Sequence, residues 1–411
     1  MNKCEVYFKD IEDKYEGEYE FAEGKITVNI FDYQKGEESE GGDEIKYIEL
    51  NVYDIKNHIQ MYSPAFRHNG FVYSYVQYET YVSDFYFVRN TIEDAKDLSV
   101  TDKLESIKLY NPLLIHGMGN PVVKGTITEK EATYTIERNP EKRIITINEN
   151  NIDRIEFCAS ATWNHRSDLQ KVDIESENYA KIVFTNPIAG EDVLRYINEF
   201  DVLINAFWCS RYRSYQTKVS IGEKEYLLFH KLIGKEKYTN RLPEKPVRIN
   251  FYEYVQMIYR RADYRNTNEK NKLILLDFKT PETVEEQYMF YFRFIDNYMG
   301  DIDSKSSNYG RLSSFVDMYL DYFAININID NYKNELNSLR NHFVHEGYYF
   351  PDNRFAVKNR KKEIIYYKDM DYIWLLDVVK KLRLCAYIAL YKEVLNIDID
   401  ESKLRRALVN R

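Results

Sequence analysis

The sequence predicts an α+β chain, a β-rich N-terminal domain of sandwich or partly closed barrel type followed by an all-α helical bundle. Three observations predict it. Short alternating or β-branched runs recur through the first half. Apolar residues change to three- and four-residue spacing near residue 190 and again after Pro281. The length, 411 residues, exceeds what one small core usually needs, so two or more domains are expected.

The strand-like runs are Lys25–Ile30, Tyr47–Val52, Gly70–Val76, Ala132–Ile136, Arg143–Ile147 and Lys181–Phe184. Asn139-Pro140-Glu141-Lys142 reads as a hairpin connection between two of them. Gly36 to Asp43 is acidic and reads as a surface loop. Val193, Leu194, Ile197, Phe200, Leu203, Ile204, Phe207 and Trp208 then predict one helix. Two more strand-like runs follow near 214–220 and 225–230. The expected organisation is a β-rich domain over 1–235, a basic connecting segment over 236–280, and a helical bundle over 281–411.

From Pro281 onward the pattern is helical throughout. Thr283 and Glu286 form a capping box ahead of an aromatic run at 288–292. Leu312, Phe315, Val316, Tyr319, Leu320 and Phe323 follow the spacing of one amphipathic helix. Asp330 can cap a helix with Tyr332, Leu336, Leu339 and Phe343 on one stripe, ended by Gly347. Residues 370–395 and Glu401 to Val409 supply the last two helices.

Composition excludes several classes. Hydrophobic residues are 44% and charged residues 30%, a folding composition and not a disordered one. No run approaches the 18 apolar residues of a membrane-spanning helix, and the start lacks a signal-peptide core. The four cysteines are widely spaced, against a disulfide framework and a Cys-based zinc site. A cytoplasmic protein with no membrane partner is therefore expected. The net charge of −9 hides an asymmetry. Residues 1–200 carry 22 Lys+Arg against 37 Asp+Glu, whereas 201–411 carry 35 against 29. The basic half suits an acidic partner such as RNA better than the acidic half does. The basic, tyrosine-bearing stretch Arg211–Lys218 has the residue types that stack bases and hold phosphates, and equally those of a solvent-facing strand. No HExxH, phosphate-binding loop or nucleophile elbow occurs, and His58, His68, His116 and His165 lack paired metal-ligand spacing.

One constellation carries chemistry. Leu339-Arg340-Asn341-His342-Phe343-Val344-His345 contains Arg-Asn-x-x-x-His. Histidine titrates near neutrality, so it can take a proton from a ribose 2′-hydroxyl or give one to a leaving oxygen. Arginine keeps its charge and offers a fork of donors to a phosphate gaining negative charge. The Asn341 amide can position either group. That kit needs neither metal nor cofactor. On a helix, Arg340 and His345 lie roughly 140° apart, so they flank one face. Two copies about a two-fold axis can gather both pairs around one phosphate, which predicts a homodimer through the bundle. His342 is expected on the helix surface as a second polar contact, and Tyr348, with Tyr349 and Phe350, as a base-stacking position.

A C-terminal helical bundle with Arg-Asn-x-x-x-His at a helix end resembles the HEPN superfamily of nucleotide-binding and ribonuclease domains. A β-rich region joined to such a bundle resembles the ApeA-like HEPN proteins of bacterial anti-phage defence. The resemblance implies that Arg340 and His345 are the catalytic pair, with Asn341 beside them. It implies metal-independent endoribonuclease action on RNA, tRNA included, leaving a 2′,3′-cyclic phosphate and a 5′-hydroxyl. The β-rich part would then sense a phage-derived trigger or hold the enzyme inactive. Some HEPN toxins carry His-x-Tyr, whose tyrosine a partner modifies; here Glu346 and Gly347 follow His345, and Tyr348 comes one place later. A second reading stands beside this one, a nucleotide- or protein-binding module that uses the bundle as dimeriser.

Overall fold

The computed structural model describes residues 2–409 apart from 9–12, 23–24, 32–46, 55, 58, 73–77, 84, 91–102, 119–122, 128–131, 137–141, 167–170, 223, 231, 236–242, 261–280, 282, 303–305, 324–327, 346–355, 359–363, 367–371. The chain is mixed α+β, with antiparallel strands concentrated before residue 230 and helices after it. It divides into two compact units that interleave in sequence. The first comprises Met1–Asn205, Tyr212–Leu242 and Phe251–Arg260; the second comprises Ala206–Arg211, Pro243–Asn250 and Arg261–Arg411. The segment 236–280 is thus divided between the two, and its helix, Phe251–Arg260, groups with the first.

Thirteen strands of the first unit form one antiparallel sheet. β1 (Asn2–Phe8), β2 (Lys14–Ala22), β3 (Lys25–Phe31), β4 (Tyr47–Asp54), β5 (Ile59–Val72) and β6 (Tyr78–Ser83) close on themselves, because β6 pairs with both β3 and β5. The ring order is β5-β4-β1-β2-β3-β6, so a closed barrel takes the place of the expected sandwich or partly closed barrel. Period-two alternation fills its interior: Val6 and Phe8, Ile26, Val28 and Ile30, Leu50 and Val52 all point inward. Gly17 is required there, since a Cβ would meet the Asn29 carbonyl oxygen at 2.5 Å.

β5 pairs with β4 along one edge and is long enough to serve two neighbours along the other. Its second half pairs with β6, and its first half, Ile59–Tyr62, pairs with β7 (Phe85–Asn90). From β7 an open sheet continues through β15 (Lys224–His230), β14 (Gln216–Ile221), β8 (Lys103–Tyr110), β13 (Lys171–Ala189), β12 (Ile152–Arg166) and β11 (Arg143–Glu149). Helices α1 (Leu114–Met118), α2 (Val193–Trp208) and α3 (Phe251–Arg260) accompany it. The Asn139–Lys142 hairpin is corrected: β10 (Ala132–Ile136) pairs with β9 (Val123–Ile127) in a separate ribbon, and β11 pairs with β12. The turn that decides this is at 148–151, where Asn148, Asn150 and Asn151 take positive φ, which asparagine tolerates.

The second unit is a helical bundle of α4 (Val284–Ile302), α5 (Asn308–Met318), α6 (Leu320–Phe323), α7 (Ile329–His345), α8 (Tyr372–Ala389) and α9 (Glu401–Val409). α4 begins with the expected capping box: Glu286 N–H donates to Thr283 Oγ1 and Thr283 N–H to Glu286 Oε2, both 3.2 Å. Two expectations are corrected here. The stripe from Leu312 to Phe323 is not one helix, because α5 ends at Met318 with Tyr319 as its C-cap, and Leu320 is turned out to solvent. The region is also not wholly helical, since β16 (Ala356–Lys358) and β17 (Ile364–Tyr366) form a small ribbon. Tyr288, Tyr291, Tyr298, Tyr332, Tyr387 and Tyr391 are buried in this core, which accounts for part of the chain's 38 tyrosines. No helix among the described residues is long and apolar enough to cross a membrane.

Candidate functional site

α7 carries the Arg-Asn-x-x-x-His segment. Its first turn is held by Asn328, whose side-chain oxygen accepts from Asn331 N–H at 3.2 Å, so Asn328 and not Asp330 is the capping group. Tyr332, Leu336, Leu339 and Phe343 form the buried stripe as expected. Tyr288 of α4 locks against it. Its hydroxyl donates to the Leu336 carbonyl at 2.6 Å, and its ring meets Phe343 edge-on with centroids 5.6 Å apart. Lys333, also buried, reaches Asp317 of α5 at 2.6 Å. These contacts fix both the depth and the rotation of α7.

That rotation decides where each candidate lies. Arg340, half-buried, sits on the flank that faces α4. Its guanidinium carbon lies 5.5 Å from the centre of the Phe292 ring, a cation–π distance. Its Nη1 donates to Asn341 Oδ1 at 3.0 Å. Its Nε is buried and meets no hydrogen-bond acceptor among the described residues. Its charge also reaches Tyr288. Burial pushes that phenol well above its ordinary range, neighbouring Tyr332 adds to the effect, and Arg340 offsets part of it. Arg340 and Asn341 are therefore one hydrogen-bonded unit anchored to an aromatic pair.

His345 is the last residue of α7 and is exposed. It stands five residues beyond Arg340, about 7.5 Å further along the axis and on a different side. Within one chain the structure brings Arg340 and Asn341 together, and it leaves His345 presented to solvent at the helix end. Val344 beside it is 46% exposed. His342 is corrected: it is only 8% exposed and lies beside Phe343, with ring centroids 6.0 Å apart. It stands roughly a quarter turn from the centre of the buried stripe, and the stripe is wide enough to cover it. A surface contact to substrate does not fit that burial. Tyr348, with Tyr349 and Phe350, lies outside the described residues, as do Glu346 and Gly347.

The sequence did not reveal the part played by Tyr288 and Phe292. The signal was present, because two aromatics four apart share one helix face. Among the described residues no three His, Cys, Asp or Glu side chains gather as a metal site requires. The remaining chemistry is that of a cation, an amide and an imidazole near one helix end, a set that can hold a phosphate and move a proton.

Comparison with known proteins gives no matching family model, no matching curated protein and no matching solved structure.

Proposed function

We propose that the helical unit is an HEPN-type, metal-independent endoribonuclease that works as a homodimer. The observation that carries the reading is the pairing of Arg340 with Asn341 on an aromatic anchor, next to an exposed helix-terminal His345. An arginine held by a ring and an amide is preorganised, so little side-chain entropy is lost when it meets a phosphate. An exposed imidazole at a helix end is open to a ribose. In the reaction, His345 takes the 2′-hydroxyl proton. The 2′-oxygen attacks phosphorus, Arg340 stabilises the charge that develops on the phosphoryl oxygens, and the P–O5′ bond breaks. The second protomer's imidazolium returns a proton to the 5′-oxygen. The products are a 2′,3′-cyclic phosphate and a 5′-hydroxyl.

The geometry of one chain, in which Arg340 and His345 flank a face without converging, supports the homodimer reading. By the same resemblance, the β-rich unit senses or regulates, and the setting is bacterial anti-phage defence. The net charge of −9 favours a second reading, a nucleotide- or protein-binding module in which the bundle only dimerises. Incubation of the full chain with total RNA and tRNA in EDTA separates the two. The ribonuclease reading expects cutting by wild type and a loss of about two to four orders of magnitude in His345→Ala. Cutting that survives in His345→Ala rejects it.

A further inference from the structure

The open sheet of the first unit has two unlike faces. On one, Ile107, Leu109, Val219, Ile182, Ala180 and Ile155 are fully buried. The alternate residues form the other face, and there the basic stretch that ends at Lys218 meets strands from elsewhere in the chain. Register sets Lys108 of β8 opposite both Lys181 of β13 and Lys218 of β14. Three lysines thus form a row across three neighbouring strands, spanning about 10 Å at the backbone.

Aromatic rings alternate with this row. Tyr110 lies 5.3 Å from Tyr179 and 6.2 Å from Tyr215, centre to centre. Lys108 sits 5.6 Å over the Tyr179 ring, and Lys218 sits 5.7 Å over Tyr110. Tyr179 and Tyr215 are each partly open to solvent. Among the described side chains, two carboxylates lie against this row. Lys108 and Lys218 share Glu225. Glu156, opposite Lys181, is already held by Lys142 and Arg154. Two of the three lysines, Lys108 and Lys181, come from residues 1–200, where acids exceed bases, 37 to 22.

We propose that this face binds single-stranded RNA, with bases stacked on Tyr179 and Tyr215 and phosphates held by Lys108, Lys181 and Lys218. Every base has a π-face, so such a platform is tolerant of sequence, and its lysines give affinity that salt weakens. A half-open sheet face admits splayed single-stranded bases. It offers a stacked duplex only charge. The choice of RNA as the strand rests on the ribonuclease reading; the stacking and charge argument does not.

The test uses the full chain and a labelled ten-nucleotide 2′-O-methyl RNA, which no 2′-hydroxyl attack can cut, followed by fluorescence anisotropy. Affinity should fall with salt at a log–log slope of about −2 for three lysines. Tyr179→Ala should weaken binding roughly 5- to 100-fold. Lys181→Glu combined with Lys218→Glu should abolish it, and Glu225→Gln should tighten it. The lysine pair keeps the test decisive if Tyr179→Ala fails to fold. The proposal is overturned if wild type does not bind, if the lysine pair binds within twofold of wild type, or if duplex RNA competes equally. Face-dependent binding without cleavage by any form would keep this site and reject the ribonuclease. Cleavage with binding untouched by these variants would do the reverse.

Discussion

Asp201→Asn perturbs a buried carboxyl whose surroundings are fully specified. Asp201 lies on α2 and is 1% exposed. Its Oδ1 accepts from Ser214 Oγ at 2.6 Å and Asn111 Nδ2 at 2.8 Å; its Oδ2 accepts from Ser214 N–H at 2.9 Å. Burial raises its pKa from the ordinary 3.8 to about 6, and the bonds from Ser214 and Asn111 and the Arg213 charge recover only part of the cost. The folded chain therefore holds this proton more tightly than the unfolded chain. Its contribution, about 3 kcal/mol, is fully present below pH 4 and is lost as pH rises through about 6. His230 behaves in the opposite sense. Burial, helped by the Arg213 charge, lowers its pKa from 6.5 to about 4. Its Nδ1 accepts from Leu232 N–H, so its Nε2 carries the proton and faces Thr217 Oγ1, each at 3.2 Å. That contribution, also about 3 kcal/mol, is present above pH 6.5 and is lost as pH falls through about 4. The two slopes oppose each other over one pH window in wild type. Asp201→Asn removes one and exposes the other. Urea unfolding of the full chain, followed by tryptophan fluorescence from pH 4 to pH 7, should show the stability of wild type minus that of the variant rising by about 2.5 kcal/mol toward acid. A gap that stays constant within about 1 kcal/mol would refute the argument, because the groups shared by both proteins cancel in the difference.

Other substitutions test the second unit. Tyr288→Phe deletes the hydroxyl that bonds the Leu336 carbonyl, and thermal unfolding should report a loss of about 1 kcal/mol. Leu336→Ala leaves a cavity in the fully buried stripe of α7 and should cost about 2–5 kcal/mol by the same measurement. Thr283→Ala breaks the reciprocal cap of α4 and should cost about 1 kcal/mol. Arg340→Lys keeps the charge and loses the planar fork over Phe292. RNA cleavage should fall by at least tenfold while the circular dichroism spectrum is retained; cleavage at the wild-type rate would mean that the fork plays no part.

How much was legible in the sequence follows from the range of the interactions. The strand at Lys25–Phe31 was readable because apolar residues alternate, and the start of α4 because Thr283 and Glu286 are three apart. Both signals are local. Barrel closure was not readable, since it depends on β6 finding β3 and β5 together, a register that no single run encodes. The Asn139–Lys142 turn misled because a good turn signal does not say which strands pair, whereas the three asparagines of 148–151 do the turning. Strands of three residues, such as Ala356–Lys358, fall below any periodicity window. At the candidate site, the helix and the positions of Arg340, Asn341 and His345 were readable from spacing. The Phe292 anchor and the burial of His342 belong to the packing of α4 on α7, and α4 begins forty-five residues before α7 in the chain.

The central claim is that RNA is cut by His345 without a metal. Its most direct test is nucleotide-resolution mapping of the ends made by wild type and by His345→Ala in EDTA. The account predicts 2′,3′-cyclic phosphate and 5′-hydroxyl ends from wild type and none from the variant. Cleavage with 5′-phosphate ends, or identical cutting by both proteins, would contradict it.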